Sequence, residues 1–134
     1  MDAAEVQKRS SIMARVKSKN TVPELVVRRL VYSMGIRYRL HCKGMPGTPD
    51  MVIRRRKIVI FVHGCFWHRH TNCKKTSTPK SRVDFWEEKF RANVARDAAA
   101  QEALKSLGWK SLVIWECETR DIATLRSRLY NELL

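Results

Sequence analysis

The chain has 134 residues, 44% of them hydrophobic, with only 5 Gly and 4 Pro, a composition that supports one hydrophobic core and excludes a low-complexity tail. Its 27 Lys and Arg against 13 Asp and Glu leave a formal charge of +14, which points to a polyanionic partner, nucleic acid foremost, bound with salt-sensitive affinity. No apolar stretch approaches the roughly 20 residues that span a bilayer, and no apolar signal segment follows the basic N-terminus, so the expected location is the cytoplasm, on the nucleoid through DNA.

Residues 1–20 carry Arg15, Lys17 and Lys19 among scattered apolar positions and are expected to form a basic arm that contacts DNA, a frayed terminus being the alternative; residues 21–134 are expected to form the folded domain. Thr21-Val22-Pro23-Glu24 has the capping-box pattern, and Leu25, Val26, Leu30, Val31 and Met34 follow at helical spacing until Gly35, which predicts a first core helix. Ile36 to Leu40 alternates as a strand does, and Gly44-Met45-Pro46-Gly47-Thr48-Pro49 is a turn-rich break before Asp50. Met51–Ile53 and Ile58–Val62 then predict an antiparallel hairpin across Arg54–Lys57. Such a hairpin sets Asp50 opposite roughly Val62, so the Asp50 carboxylate and the loop that begins at His63 leave the sheet at the same end.

Ser81 is the expected N-cap of a long helix that Phe85, Trp86, Phe90, Val94, Ala98 and Leu104 continue to Gly108. Ser111–Cys117 reads as a buried strand and Asp121–Leu133 as a closing amphipathic helix. The resulting order, α-β-β-β-α-β-α, predicts a single α/β domain with a mixed central sheet flanked by helices.

The segment from His63 to Cys73 holds three of the chain's 4 His and two of its 4 Cys, with Phe66-Trp67 between them. Without a signal segment these cysteines are expected to be reduced, and thiolates beside imidazole suit zinc better than a disulfide. Cys65, His70 and Cys73, joined by Cys117 from a distant strand, suit a closed tetrahedral Cys₃His site; the alternative is that Cys117 is an ordinary buried cysteine and the loop pair incidental. Cys42 has no such context and is expected to be a free thiol. Asp50 is the most suitable carboxylate for a hard cation such as Mg²⁺, with the Val62 carbonyl as a second oxygen, or else a turn-capping Asp. His68 then fits a general base and His63 a group that positions water or phosphate, unless they are solvated loop residues or one of them replaces His70 on zinc. On local sequence Glu24 is the capping-box acid, and Asp97 is either a solvated helix charge or a carboxylate that orients a histidine.

Pro46-Gly47-Thr48-Pro49-Asp50, the run from Ile60 through His63-Gly64-Cys65-Phe66-Trp67-His68, Asp84-Phe85-Trp86, Asn93-x-x-Arg96-Asp97, Leu107-Gly108-Trp109 and Trp115-Glu116-Cys117 occur in this order over nearly the whole chain. Together they resemble the very-short-patch repair (Vsr) DNA mismatch endonucleases. The resemblance implies a variant of the PD-(D/E)xK restriction-endonuclease core with a structural zinc site, and nicking of double-stranded DNA 5′ of the T in T:G mismatches left by 5-methylcytosine deamination. It further implies Mg²⁺ on Asp50 with help from the Val62 carbonyl, Glu24 holding water on that metal, His68 as general base aided by Asp97, and His63 at the phosphate. Zinc would fall to Cys65, His70, Cys73 and Cys117, and Phe66, Trp67 and Trp86 would wedge beside the mismatch with Met13 approaching from the other groove. A poorly stacked mismatch makes such insertion less costly there than at a paired step. The resemblance also implies a monomer and a functional link to a DNA cytosine methyltransferase. Four departures stand out: Val62 replaces a Thr, Arg69 replaces a common His, the stretch from His70 to Cys73 is longer by one residue, and no second acid and lysine follow Asp50, where Arg54–Lys57 stands instead. A restriction-type nuclease with different recognition, and a zinc-stabilised DNA-binding module without catalysis, remain open as alternatives.

Overall fold

A computed structural model describes residues 20–71, 73, 76, 77 and 79–134. The arm positions Met13, Arg15, Lys17 and Lys19 lie outside the described residues. Helix α1 spans Val22–Ser33, with the Thr21 hydroxyl accepting from the Glu24 N–H at 3.3 Å and Pro23 in the first turn. The reciprocal half of the expected capping box is displaced by one residue: the Glu24 carboxylate accepts from the Asn20 N–H at 3.3 Å. Gly35, at φ 77°, follows the helix end.

The strand expected over Ile36–Leu40 shrinks to β1, Arg39–Leu40, which pairs antiparallel with β2, Met51–Ile53. A short 3₁₀ turn over Arg54–Arg56 and Lys57 at φ 52° join β2 to β3, Ile58–His63. Met51 pairs with Ile60, so Asp50 stands opposite Phe61, one residue from the expected register. Its carboxylate compensates by reaching the Val62 N–H.

Helix α2, Val83–Ser106, returns the chain to β4, Lys110–Trp115, which lies parallel to β3 with His63 beside Trp115. Ser81 is not the cap: Arg82, in the left-handed region at φ 52°, holds that position without a side-chain hydrogen bond. A 3₁₀ segment over Glu116–Arg120 carries Cys117 out of the strand, and α3, Ile122–Leu133, closes the chain behind its Asp121 cap. The protein is a small single-domain α/β fold, sheet order β1-β2-β3-β4.

Period-two alternation sorts the strands between two layers. Met51, Ile53, Ile58, Ile60, Leu112 and Ile114 pack with Val27, Leu30 and Val31 of α1 and Leu125, Leu129 and Leu133 of α3. Val52, Val59 and Phe61 face the other way, with Leu104 of α2. Each fully buried aliphatic side chain contributes about 1.5–3 kcal/mol over an exposed one. The inner stripe of α2 is Trp86, Phe90, Asn93, Asp97, Ala100 and Leu104; Phe85, Val94 and Ala98, apolar positions of the same helix, are exposed. A helix on one sheet face can bury only one stripe, and Leu104 against Val59 and Phe61 decides which. That choice brings Asp97, a polar residue, onto the inner side.

Candidate active site

The start of β2 and the ends of β3 and β4 meet at one end of the sheet, and a cleft of about 550 Å³ opens there. Asp50, Val62, His63, His68 and Asp97 line it, together with His41, Lys43 and Arg96, which the sequence reading did not single out. Parallel β3 and β4 with α2 between them place the carboxyl ends of two strands at this mouth, a common location for ligand sites in α/β sheets. The Pro46–Pro49 turn fits closely here. At Gly47, φ 74°, a Cβ would lie 2.7 Å from the Ala100 Cβ and 3.1 Å from the Phe61 ring, so only glycine lets this turn rest on α2.

Asp50 Oδ2 accepts from the Val62 N–H at 2.7 Å. In an extended strand a residue's N–H and C=O point to the same side, so the Val62 carbonyl faces the Asp50 edge as well. Burial, opposed by that N–H and reinforced by the neighbouring Glu24 charge, raises the Asp50 carboxyl from 3.8 to about 6. Glu24, 1% exposed, receives the Arg28 guanidinium, and both its oxygens lie 3.0 and 3.1 Å from His41 Nε2. Ligand-capable atoms of Glu24, His41 and Asp50 fall within 4.8 Å of one another.

Along the same cleft, His68 Nδ1 meets Asp97 Oδ2 at 2.6 Å, and the rings of His63 and His68 stack at 3.9 Å and 5°. His63 is buried; its Nε2 is 4.0 Å from Asp97 Oδ1, and the Trp115 ring meets it edge-on. Burial, then the neighbouring His68, lower its pKa from 6.5 to about 4, more than Asp97 raises it. His63 is therefore a neutral imidazole at pH 7. With Nδ1 of His68 directed at Asp97, its Nε2 is the nitrogen left to accept a proton.

The loop after β3 folds onto a second cluster. Cys65 Sγ and Cys117 Sγ lie 3.6 and 3.4 Å from His70 Nδ1, and with Cys73 all four ligand atoms fall within 4.8 Å. A tetrahedral ion with bonds of about 2.3 Å to sulfur and 2.0 Å to nitrogen has S···N edges of about 3.5 Å, so this donor set fits zinc. All three cysteines are free thiols, and burial pushes the Cys65 thiol up to about 12 and raises Cys117 as well. With Cys65 buried and Cys73 and Cys117 half-buried beside it, the thiols are poorly suited to hold thiolate charge alone and well suited to share a cation. The surrounding contacts pin the knot: the Thr76 hydroxyl donates to the His70 carbonyl at 2.7 Å, His70 stacks on Trp115 at 4.2 Å, and the Cys65 N–H donates to Glu116 at 3.4 Å. From α3, Arg128 grips Glu118 at 2.6 Å and the Val113 carbonyl at 3.0 Å, which fixes the segment bearing Cys117. Cys42, the remaining free thiol, packs against the α2-side core.

Phe66 and Trp67, both half-buried, form an aromatic group with Trp86 and Phe90, with Phe66 edge-on to Phe90 at 5.1 Å and Trp67 6.0 Å from Trp86. Trp86 is only 4% exposed, so it backs this group rather than presenting a free face. Arg69, at φ 55°, lies over the Phe90 ring at 4.1 Å and donates to the Ser77 carbonyl at 2.9 Å. This guanidinium, which the sequence reading noted only as a departure, ties the loop to α2.

Comparison with known proteins settles the family. Residues 1–75 match the profile of the family described as DNA mismatch endonuclease Vsr. The chain belongs to the Vsr family. Relatives match along its length: the DNA mismatch endonuclease Vsr of Escherichia coli K12 is 36% identical over 133 residues, covering 99% of this chain and 82% of its own. The Type II nicking enzyme V.XorIIP of Xanthomonas oryzae is 48% identical over 132 residues, covering 98% and 96%, and V.NmeAIP of Neisseria meningitidis is 43% identical over 128 residues, covering 96% and 91%. As a Vsr-family protein the chain is an endodeoxyribonuclease, a hydrolase of DNA phosphodiester bonds. Among the described residues, no helix is long and apolar enough to cross a membrane.

Proposed function

We propose that this Vsr-family chain nicks one strand of duplex DNA 5′ of the T in a T:G mismatch, as a monomer, with Mg²⁺ at Asp50 and structural zinc on Cys65, His70, Cys73 and Cys117. The observation that carries this reading is the convergence of Asp50 with the His63–His68–Asp97 group on one cleft. An acid at the phosphate repels DNA and has no use in binding alone. The element order and the acid at the start of β2 fit a restriction-endonuclease-like core, with histidines in place of the missing second acid and lysine.

Asp50 and the Val62 carbonyl, with Glu24 behind them, would hold Mg²⁺, which would supply charge neutralisation at the phosphate. His68 accepts the proton of the attacking water through Nε2, while Asp97 holds Nδ1 and steadies the imidazolium that forms. His63, neutral and stacked on His68, donates a hydrogen bond to a phosphate oxygen without adding a like charge beside that imidazolium. Lys43 and Arg96 place positive charge along the same cleft, where the DNA backbone must lie. Phe66 and Trp67 probe the stack, Trp86 supports them from behind, and the 1–20 arm with Met13, Arg15, Lys17 and Lys19 contacts DNA from the other groove, with residues 21–134 as the endonuclease domain. A DNA cytosine methyltransferase, which makes the 5-methylcytosine that deaminates to such mismatches, is the functional partner, and the cytoplasmic nucleoid the place of action.

The relatives named Type II nicking enzymes favour a second reading, in which nicking is tied to one defined recognition sequence. Purified protein and Mg²⁺ incubated with matched and T:G-mismatched duplexes in several cytosine-methylation contexts separate the two. The proposal expects one nick, 5′ of the mismatched T. Equal cutting of matched duplexes removes the mismatch claim, and binding without any cut leaves a DNA-binding module.

A further inference from the structure

His41 sits one residue beyond β1, with its backbone in the left-handed region at φ 47°. Its N–H donates to the Asp50 carbonyl at 3.2 Å, which extends the β1–β2 ladder by one step and sets His41 directly across from Asp50. From there the ring turns to Glu24, with Nε2 3.1 Å from Oε1 and 3.0 Å from Oε2. Arg28 engages Oε2 and lies 3.4 Å from His41 Nε2, while Oε1 has His41 beside it. The Glu24 side chain is 2% exposed and that of His41 20%, so the carboxylate is buried and the imidazole stands at the opening.

Separations of 3.0–3.1 Å suit a hydrogen bond, and they also suit neighbouring ligands of one octahedral cation. Ligands at about 2.1 Å from such an ion lie about 3.0 Å apart along each edge. With the Asp50 carboxylate in the same 4.8 Å group, the corner offers two carboxylates and one imidazole nitrogen. An all-oxygen corner suits Mg²⁺; an imidazole among the ligands shifts preference towards transition-series ions.

We propose that His41 Nε2 is a further protein ligand, beside Asp50, Glu24 and the Val62 carbonyl, of the divalent cation at the cleft, and that it biases the site towards Mn²⁺ over Mg²⁺. This rests on the reading that the cleft holds its cation at Asp50. On cation binding the Nε2 proton moves to Nδ1 as the ring takes its other tautomer, and the imidazole–carboxylate hydrogen bond is exchanged for two coordinate bonds, while Arg28 keeps Oε2.

The test is Mn²⁺ binding by the full-length protein, followed by electron paramagnetic resonance with Mg²⁺ competition. The bound-ion spectrum is expected to carry ¹⁴N hyperfine coupling. His41→Asn tolerates the left-handed backbone and is too short to reach the ion. It is expected to abolish that coupling and to weaken Mn²⁺ binding about tenfold or more while changing Mg²⁺ binding less than about threefold. No nitrogen coupling in the wild-type spectrum, which needs no variant to fold, overturns the proposal. So does coupling that survives in His41→Asn, or an equal fall in affinity for both ions, since His41 would then only hold Glu24. Asp50→Asn separates the underlying reading: if it binds Mn²⁺ as the wild type does, the cation site at Asp50 is itself wrong.

Discussion

The thiol knot and the acid corner each draw ligand atoms from distant segments to within 4.8 Å, yet they are built in opposite ways. The knot of Cys65, His70, Cys73 and Cys117 is walled in by Trp115, Thr76 and Glu116 and joins a loop to a 3₁₀ segment. The corner of Glu24, His41 and Asp50 rests on a helix and two paired strands, and His41 and Asp50 face a 550 Å³ cleft. Thiol donors gathered from a loop and a 3₁₀ segment suit a staple; carboxylates beside regular elements, with a cleft on one side, suit a workplace. A loop without its own hydrogen-bond ladder needs the staple, whereas the sheet end stands without one.

Breaking the corner should cost chemistry without structure. Asp50→Ala is expected to lower the nicking rate about a thousandfold or more with duplex binding and the thermal midpoint nearly unchanged, in gel-based nicking and binding assays. A normal rate would mean that the carboxylate is not at the reaction. Breaking the knot should cost both. Cys117→Ser is expected to bind substoichiometric zinc in native mass spectrometry, to melt well below the wild type, and to lose nicking through its loop; a fully folded, metal-free protein would remove the staple from the comparison.

Within the cleft, His68→Gln is expected to slow single-turnover nicking about 10²–10⁴-fold, and Asp97→Asn about 10–100-fold, because the second acts only through the first. If Asp97→Asn were the more damaging, Asp97 would have a role of its own. The smallest effect is on stability. Burial holds His63 neutral in the folded chain down to about pH 4, whereas the unfolded histidine protonates near 6.5. The unfolded state therefore binds that proton first, and the His63 contribution is complete above about 6.5 and fades as the pH falls towards 4. Melting curves at pH 7 and 5 should show a larger drop for the wild type than for His63→Gln, and parallel drops would place the acid sensitivity elsewhere.

Much of this was legible because its signals are local. The Thr21 cap, the hairpin, the last strand and the closing helix follow from side-chain period and end signals, and the donor-rich loop from residue type alone. The start and inner face of α2 were not. Arg82 caps it by backbone conformation, which carries no side-chain signature, and Phe85 and Val94 are as apolar as the residues actually buried. His41 was missed because its partners are not its neighbours in sequence; they are 17 and 9 residues away, and only the ladder with β2 brings them to it.

By itself the sequence determined the order of elements, the donor chemistry and the charge that draws the chain to DNA, since period, residue type and net charge are properties of neighbours or of sums. The tertiary structure decided which donors share a site. A one-residue register at Asp50, the rotation of α2 that turns Asp97 to His68, and the parallel pairing that sets Trp115 beside His63 and so brings Cys117 to the His63 loop are choices of packing, made where buried surfaces must fit each other.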